Sequence, residues 1–330
     1  MVLFSDQFRY KFLIIFCAFI ALIEGYFFAY NVNFFFMLTP WLLFFFVIAL
    51  SFNRSLLFIK DWLVFISLFL FLNFLRGAIY VLIKHYDLPI YSQYIIDFER
   101  LFISSGSLAS ALQLHLTSLG SVTWLERLCT FIYSSHFACF IVVAIIIWAK
   151  KPHDFWRYKW SILSCAYISL FIYFLIPTTP PWLAFDQGLL PPVRNIFHNI
   201  MAVKFGKLIT LLDTNPVAAM PSLHVAFPLV SLLSLLHHFS IRRCWPFIIY
   251  FLLVIFSTLL LGAHYIGDIL AGISLALICH YVVYFKLKPR KVYTFVVSWI
   301  DIATQLNLVV IIFITQMLLK HLLKFMITCG

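Results

Sequence analysis

Long apolar runs dominate this chain, and short polar breaks separate one run from the next. A helix needs about 20 residues to cross the hydrocarbon core of a bilayer, and most of the runs approach that length. The pattern therefore predicts an all-α fold, a polytopic membrane bundle of about eight or nine spans. The predicted spans are residues 12–30, 34–52, 61–83, 128–149, 160–176, 221–240, 246–263 and 264–285, with a weaker one at 303–320.

Three stretches interrupt the apolar pattern. Residues 84–127 are the most polar of them, and within this stretch residues 107–119 are small and moderately apolar, which is typical of an amphipathic or re-entrant segment. The fifth span ends in the letters IPTTPPWL, where paired prolines and a tryptophan indicate an abrupt helix end at the interface. A polar connection then covers residues 185–220.

The composition is that of an integral membrane protein. The 330 residues are 64% hydrophobic and 11% charged, whereas soluble domains carry about a quarter charged residues. The formal net charge of +11 comes from basic residues that cluster between the apolar runs, so it indicates topology and not a nucleic-acid partner. The seven cysteines form no CxxC pair. Neither a zinc site nor a disulfide framework is therefore predicted, and no metal or other cofactor is expected.

Basic loops set the predicted orientation. Three of them fall on one side of the membrane if the spans are as drawn, and by the positive-inside tendency that side is cytoplasmic. The PTTPPW turn and the opposite helix ends then face the exoplasmic space. The basic residues are Lys150, Lys151, Arg157, Lys159, Arg242, Arg243, Lys286, Lys288, Arg290 and Lys291.

The chain has no evident internal repeat and is interpreted as one membrane domain with flanking helices. Residues 1–85 are the N-terminal transmembrane helices, residues 86–291 hold the candidate chemistry, and residues 292–330 are a C-terminal helix or tail. Arg9 and Lys11 precede the first apolar run, as in a signal peptide. No small-residue cleavage site follows, so the first span is expected to be retained.

Two histidines and an aspartate form the candidate site. His264 and Asp268 are four residues apart, which places them on one face of a helix. An aspartate there can hold the imidazole in one tautomer and stabilise its charged form. His224 follows a Pro-Ser pair, a proline-and-cap start to a helix. Packing at the interface explains a lone histidine, but a carboxylate within a span normally has a partner.

Two further polar residues lie within predicted spans. Arg76 comes late in the third span, so it either extends to the interface or faces a polar cavity, and the first interpretation is favoured. His136 lies near the same membrane face as His224, with packing as its default role.

The quoted motifs resemble a known family. The run AAMPSLHVA, followed later by GAHYIGDILAG, resembles the type 2 phosphatidic acid phosphatase superfamily. Within it, the chain is most similar to the branch of aureobasidin-sensitive inositol phosphorylceramide synthases and their bacterial relatives. Residues 99–102, 133–136 and 177–182 also resemble that branch, so the likeness covers roughly residues 90–285. It implies a six-helix phosphatase or phosphotransferase core.

The resemblance also implies roles for individual residues. The family's second motif falls on residues 221–224, and its third motif falls on His264 and Asp268. His264 is then the nucleophile that forms a phosphohistidine, Asp268 its orienting partner, and His224 the acid that protonates the leaving oxygen. Imidazole suits both roles near neutral pH, and no metal is needed.

The chain departs from the phosphatases of the superfamily where they bind phosphate. It lacks their Lys-x6-Arg-Pro motif, and their Ser-Arg pair before the third motif is replaced by Ser257 and Thr258. Leu223 replaces the glycine that follows the second-motif serine. Candidate substrate-binding residues are Ser222, Arg100, His136, Arg194, Lys204 and Lys207, although each cation is also explained as an interfacial residue that contacts lipid headgroups.

The leading hypothesis is a membrane phosphotransferase that moves a phospho-headgroup from a phospholipid donor to a lipid alcohol such as ceramide at the exoplasmic face. Inositol phosphate from phosphatidylinositol is the expected group. The alternative is a phosphatase acting on a lipid phosphate or pyrophosphate. A transporter or scaffold is the third hypothesis, but the inverted repeats typical of many transporters are absent from the sequence. Either a bacterial inner membrane or a Golgi-type membrane fits.

Overall fold

The computed structural model describes residues 61–62, 64–104, 106–118, 121–205 and 215–287. The predicted spans 12–30, 34–52 and 303–320 lie outside these residues. The chain falls into two compact units that divide between His280 and Tyr281. In the second unit the described residues include a π-helical turn, Val282–Lys286. The candidate site lies wholly in the first unit.

The described part of the chain is mainly helical. A 3-10 turn, Pro152–Asp154, precedes α5. The helices are α1 (Val64–His85), α2 (Ser92–Arg100), α3 (Leu108–Leu116), α4 (Trp124–Lys150), α5 (Phe155–Leu175), α6 (Pro181–Asp186), α7 (Ile196–Phe205), α8 (Leu223–His238), α9 (Ile241–Leu260) and α10 (Ile266–Tyr281).

The predicted all-α membrane bundle is confirmed. Among the described residues, three helical segments are long and apolar enough to cross a membrane: Pro152–Leu175, Ile241–Leu260 and Ile266–Lys286. The bent pair that forms α4 makes a fourth if it is counted as one span. Since α8 has only 16 residues, it is shorter than the roughly 20 residues of a full span.

Several predicted boundaries were wrong by a few residues. α4 begins at Trp124 and not at residue 128, because Thr123 and Glu126 form a reciprocal capping box around its first turn. α9 begins at Ile241 and not at residue 246, so Pro246 lies inside the helix. The two polar stretches also contain helices. Residues 84–127 contain α2 and α3, and the connection 185–220 contains α7.

The main hydrophobic core lies among α1, α4, α5, α8 and α9, which pack against one another. Trp148, Phe227 and Val230 are among its buried members. A polar contact is buried within it, where the Tyr158 hydroxyl donates to the Phe140 carbonyl at 2.6 Å and lies 2.8 Å from the Ser231 hydroxyl. Polar contacts of this kind join helices in a membrane, where apolar burial alone drives little association. They fix α8, which begins at the candidate site.

Candidate active site

The segment that leads into α8 is held by the PTTPPW turn. Thr178 bridges to Ala218 in parallel register. Its N–H donates to the Val217 carbonyl at 2.9 Å, and its carbonyl accepts from Ala219 N–H at 3.1 Å. Its hydroxyl oxygen accepts from Met220 N–H at 3.0 Å. This turn therefore places the start of α8, and with it His224, against the end of α5.

The start of α8 departs from an ordinary cap. Ser222 is the residue before the helix, as predicted, but its side chain makes no capping hydrogen bond. The Ser222 hydroxyl is buried without a hydrogen-bond partner in the described part of the chain. The backbone is instead fixed by Tyr173, whose hydroxyl donates to the Pro221 carbonyl at 2.9 Å. The Met220–Pro221 peptide bond is cis.

The second half of the site is the entrance to α10. Gly262 turns the chain with a φ of +70°, a conformation that side chains rarely adopt. His264 and Asp268 follow and are 5% and 0% exposed. Asp268 Oδ2 lies 3.3 Å from His264 Nδ1 and accepts from Tyr265 N–H at 2.9 Å. The predicted pairing of His264 with Asp268 is therefore present, at the start of α10.

A close backbone approach joins the two halves. Ser222 N–H donates to the Asp268 carbonyl at 3.0 Å. One turn later, a Cβ on Gly272 would lie 2.5 Å from the Ser222 carbonyl oxygen, so only glycine fits there. As a result, His224 Nδ1 lies 3.1 Å from His264 Nε2. Two histidines that are far apart in sequence thus face each other.

Two side chains from α4 pack on His224. The Tyr133 ring stacks on the imidazole with centroids 4.2 Å apart and planes 18° apart. The His136 ring centroid lies 4.0 Å from that of His224. His136 Nδ1 lies 2.6 Å from the Tyr133 carbonyl, so in the neutral ring that nitrogen is the donor. His136 therefore belongs to the same cluster as His224.

The arrangement has the parts of a nucleophilic site. An aspartate on Nδ1 of His264 places the ring proton there and leaves the lone pair on Nε2, which is the condition for nucleophilic attack by imidazole. His224 lies within hydrogen-bond reach of that same nitrogen and can carry a proton to or from a group bound there. The described residues contain no group of three His, Cys, Asp or Glu side chains placed to hold a metal ion.

The predicted cations lie in different settings. Arg100 is half-exposed and pairs with Asp97 at 2.7 Å. Arg194 pairs with the buried Glu126 at 2.7 Å and donates to the Thr117 hydroxyl at 2.6 Å. The side chain of Lys204 and the whole of Lys207 lie outside the described residues. A substrate-binding role for these four residues stays a prediction.

Sequence reasoning missed Glu99 as part of the site. Its side chain is 1% exposed, and Oε1 accepts from Leu108 N–H at 3.2 Å. Burial raises the pKa of Glu99 to about 7, an effect that the backbone N–H groups of Leu108 and Ile266 partly oppose and that the nearby Asp268 charge reinforces. Residues 99–102 resemble the family, and this was the signal in the sequence that could have pointed to Glu99. The resemblance assigned no role to that residue.

Glu99 predicts a pH dependence of stability. Its pKa rises from 4.5 unfolded to about 7 folded, so the folded protein retains a proton that the unfolded chain loses between those values. The free energy of unfolding should therefore fall as pH rises from about 4.5 to 7, by at most about 3 kcal/mol. In Glu99→Gln, which keeps an acceptor oxygen for Leu108, this decrease should be absent. Thermal unfolding in detergent across this range measures it.

The matched control for that measurement is Asp97→Asn, which alters an exposed carboxylate on the same helix. Its melting temperature should follow the wild-type pH curve. Parallel curves for Glu99→Gln and wild type would show that Glu99 ionises normally in the folded protein.

Comparison with known sequences identifies the class of protein. The sequence model of the PAP2 superfamily matches residues 106–282, more than half of the chain. The chain belongs to this superfamily, which confirms the resemblance noted in its motifs, and with it to a family of lipid phosphatases and phosphotransferases.

A curated relative agrees with the predicted branch. The chain is 28% identical over 165 residues to a phosphoinositol dihydroceramide synthase of Bacteroides thetaiotaomicron. The match covers 43% of this chain and 51% of the relative, so the chain spans about half the length of that protein. No solved structure matches the chain.

Proposed function

We propose that this protein is a membrane phosphotransferase that moves a phospho-headgroup from a phospholipid to a lipid alcohol. The observation that carries the proposal is the line of contacts from Asp268 Oδ2 to His264 Nδ1, at 3.3 Å, and from His264 Nε2 to His224 Nδ1, at 3.1 Å. The expected transfer is of inositol phosphate from phosphatidylinositol to ceramide or a similar alcohol. The name of the bacterial relative supports this choice of groups.

The proposed reaction has two displacements. In the first, His264 Nε2 attacks phosphorus, the bond from phosphorus to the diacylglycerol oxygen breaks, and His224 gives that oxygen a proton. In the second, the acceptor hydroxyl loses its proton to His224 and attacks the phosphohistidine, and the phosphorus–nitrogen bond breaks. One imidazole thus serves first as acid and then as base, as microscopic reversibility requires.

Hydrolysis of a lipid phosphate or pyrophosphate is the second candidate, with water in place of the acceptor alcohol. The first displacement is common to both reactions. The transferase is favoured because Ser257 and Thr258 stand where the phosphatases of the superfamily carry a Ser-Arg pair. A phosphodiester donor carries less negative charge than a phosphomonoester and needs fewer cations to bind it.

We further propose that the site faces the exoplasmic space, which is the periplasm or an organelle lumen. The support is the charge pattern: Arg242 and Arg243 lie in the first turn of α9, at the far end of α8 from His224. A basic end of this kind remains on the cytoplasmic side.

Product analysis tests the function. Purified protein in mixed micelles is given phosphatidylinositol and a fluorescent ceramide, and the products are separated by chromatography beside a His264→Ala control. A new inositol-phosphoryl lipid that is absent with the variant supports the transferase. Release of inorganic phosphate from a lipid phosphate, with no transfer, supports the phosphatase.

Asp268→Asn tests the orienting role. The asparagine keeps an oxygen near Tyr265 N–H but removes the charge that stabilises the His264 imidazolium. The loss of kcat should be about 10–100 times smaller than in His264→Ala, as for the acid of a triad compared with its nucleophile. Steady-state kinetics with the same donor lipid measures kcat for both variants. Equal and complete losses in two folded proteins would mean that Asp268 does more than orient the ring.

A further inference from the structure

A site that transfers a phospho-group needs a cation to bind the phosphate oxygens. The usual positions in this superfamily do not supply one here, because Ser257 and Thr258 occupy one of them and the Lys-x6-Arg-Pro motif is absent from the sequence. Arg194 is paired with Glu126, and Arg100 is paired with Asp97. Among the described residues, a phosphate in the site therefore requires another cationic partner.

Arg76 lies beside the histidine cluster. It is on α1, in the part of the chain that precedes the family match at residues 106–282. The Arg76 side chain is close enough to His136, His224 and Tyr173 to interact electrostatically with each of them. The structure thus favours the interpretation in which Arg76 faces polar groups inside the protein over extension to the membrane interface.

The backbone of Arg76 is hydrogen-bonded to the segment that leads into α8, residues 215–222. The Asn215 side-chain amide donates to the Arg76 carbonyl at 3.2 Å. The amide oxygen of the same side chain accepts from Val217 N–H at 3.1 Å. Asn215 is 2% exposed and begins the run that leads to His224. This link fixes α1 relative to the start of α8.

The guanidinium of Arg76 is only partly satisfied. Its Nε is buried and has no hydrogen-bond partner among the described residues. Among the described residues no carboxylate forms an ion pair with Arg76 either; Asp97, Asp154, Glu126 and Asp268 pair with other residues. A buried donor nitrogen of a cation that lacks a hydrogen-bond partner is costly within a membrane protein. An anionic ligand in the site would remove that cost.

We propose that Arg76 binds the phosphate of the donor lipid and holds it beside His264 Nε2, within reach of His224. The inference rests on the proposed function, since it names the phosphate-binding residue of that same site. A guanidinium offers two parallel N–H groups to two phosphate oxygens, so it both orients phosphorus and stabilises the charge that develops on those oxygens. The residue comes from outside the matched family region, which explains why the motifs alone did not reveal it.

The experiment compares Arg76→Gln, Arg76→Lys and a control, Lys84→Gln, in which the exposed cation lies two turns further along α1. For Arg76→Gln we expect kcat/KM for the donor to fall about 10²- to 10³-fold. Arg76→Lys should recover part of this loss, because it restores the charge without the paired N–H groups. Lys84→Gln should stay within about threefold of wild type, the range of an ordinary surface change.

A binding measurement separates this proposal from the proposed function. Sodium orthovanadate, a phosphate mimic, should raise the melting temperature of the wild-type protein and of Lys84→Gln, whichever reaction the enzyme catalyses. Arg76→Gln should require at least about tenfold more vanadate for the same shift, the cost of one charge-assisted contact. If Arg76→Gln fails to fold, Arg76→Lys decides the question. The inference then expects kcat/KM of Arg76→Lys to fall by at least about tenfold at an unchanged melting temperature.

Two results would overturn the inference. One is an Arg76→Gln variant that keeps its activity and its vanadate shift. The other is a wild-type protein that vanadate does not stabilise. Failure of the transferase assay alone would not overturn the inference. Vanadate binding by the wild type, and its loss in Arg76→Gln, would still show that Arg76 binds the phosphate.

Discussion

His264→Ala is expected to abolish turnover, with a fall in kcat of about 10⁴-fold or more. The reason is that the alanine removes the atom proposed to bond to phosphorus, and no neighbouring group replaces it. His224 Nδ1 lies only 3.1 Å from His264 Nε2, yet it lacks the carboxylate that orients His264. The measurement is the initial rate of product formation with the natural donor.

The matched control is His115→Ala, which removes an exposed histidine at the end of α3 and should leave the rate unchanged. A second readout uses a donor labelled in the transferred phosphate. The wild-type protein, quenched in base without an acceptor, should retain label in an acid-labile bond, whereas His264→Ala should retain none. Residual activity above about 1% of wild type in a folded His264→Ala protein would remove His264 as the nucleophile.

His224→Ala is expected to show the second-largest loss, about 10²- to 10⁴-fold in kcat for a phospholipid donor. The diacylglycerol oxygen is a poor leaving group unless it receives a proton as the bond breaks. An aryl phosphodiester leaves readily as the phenolate and needs no such proton. The loss in His224→Ala should therefore shrink to less than about tenfold with the aryl donor, as expected for a general acid.

His264→Ala is the control for that comparison, because a missing nucleophile should impair both donors alike. Release of the phenol is followed by absorbance, and the phospholipid reaction by chromatography. If His224→Ala loses equal activity on both donors, its role is structural. The stacking of Tyr133 on the His224 ring would then be its main contribution.

The candidate catalytic residues were proposed from the sequence, but the way they meet in the fold could not be predicted from it. The four-residue spacing of His264 and Asp268 predicts their pairing, because it is a local property of a helix entrance. The approach of His224 depends on the hydrogen bond between Ser222 N–H and the Asp268 carbonyl. It also depends on the absence of a side chain at Gly272. Neither contact leaves a periodic or compositional signal.

Buried charges were the hardest feature to predict. In sequence, Arg194 and Glu126 both belong to polar stretches and are explained as surface residues. In the fold they form an ion pair in which Glu126 is 1% exposed. Glu99 is similar, because only the packing of α2 against the start of α10 shows that it is buried. Long-range pairs of this kind depend on tertiary structure and not on local pattern.

Helix boundaries were predictable in part. The apolar pattern placed the start of α4 after the last charged residue of the preceding stretch, at residue 128. The letters T-x-x-E at residues 123–126 carried the better signal, a capping box whose charged glutamate belongs inside the helix. Hydrophobicity marks where a helix meets lipid, whereas capping chemistry marks where its hydrogen bonds begin.

The contact between Gly272 and the Ser222 carbonyl has a consequence for how such enzymes can diverge. His224 and His264 are held together by backbone packing at one end of α8 and α10. The turn between α8 and α9, at residues 239–240, lies at the other end of α8. Insertions at that turn would lengthen the chain between the motifs without changing the distance between their imidazoles. The number of residues between the two motifs is therefore a poor guide to membership in the superfamily. A small residue one turn after the aspartate is a better one.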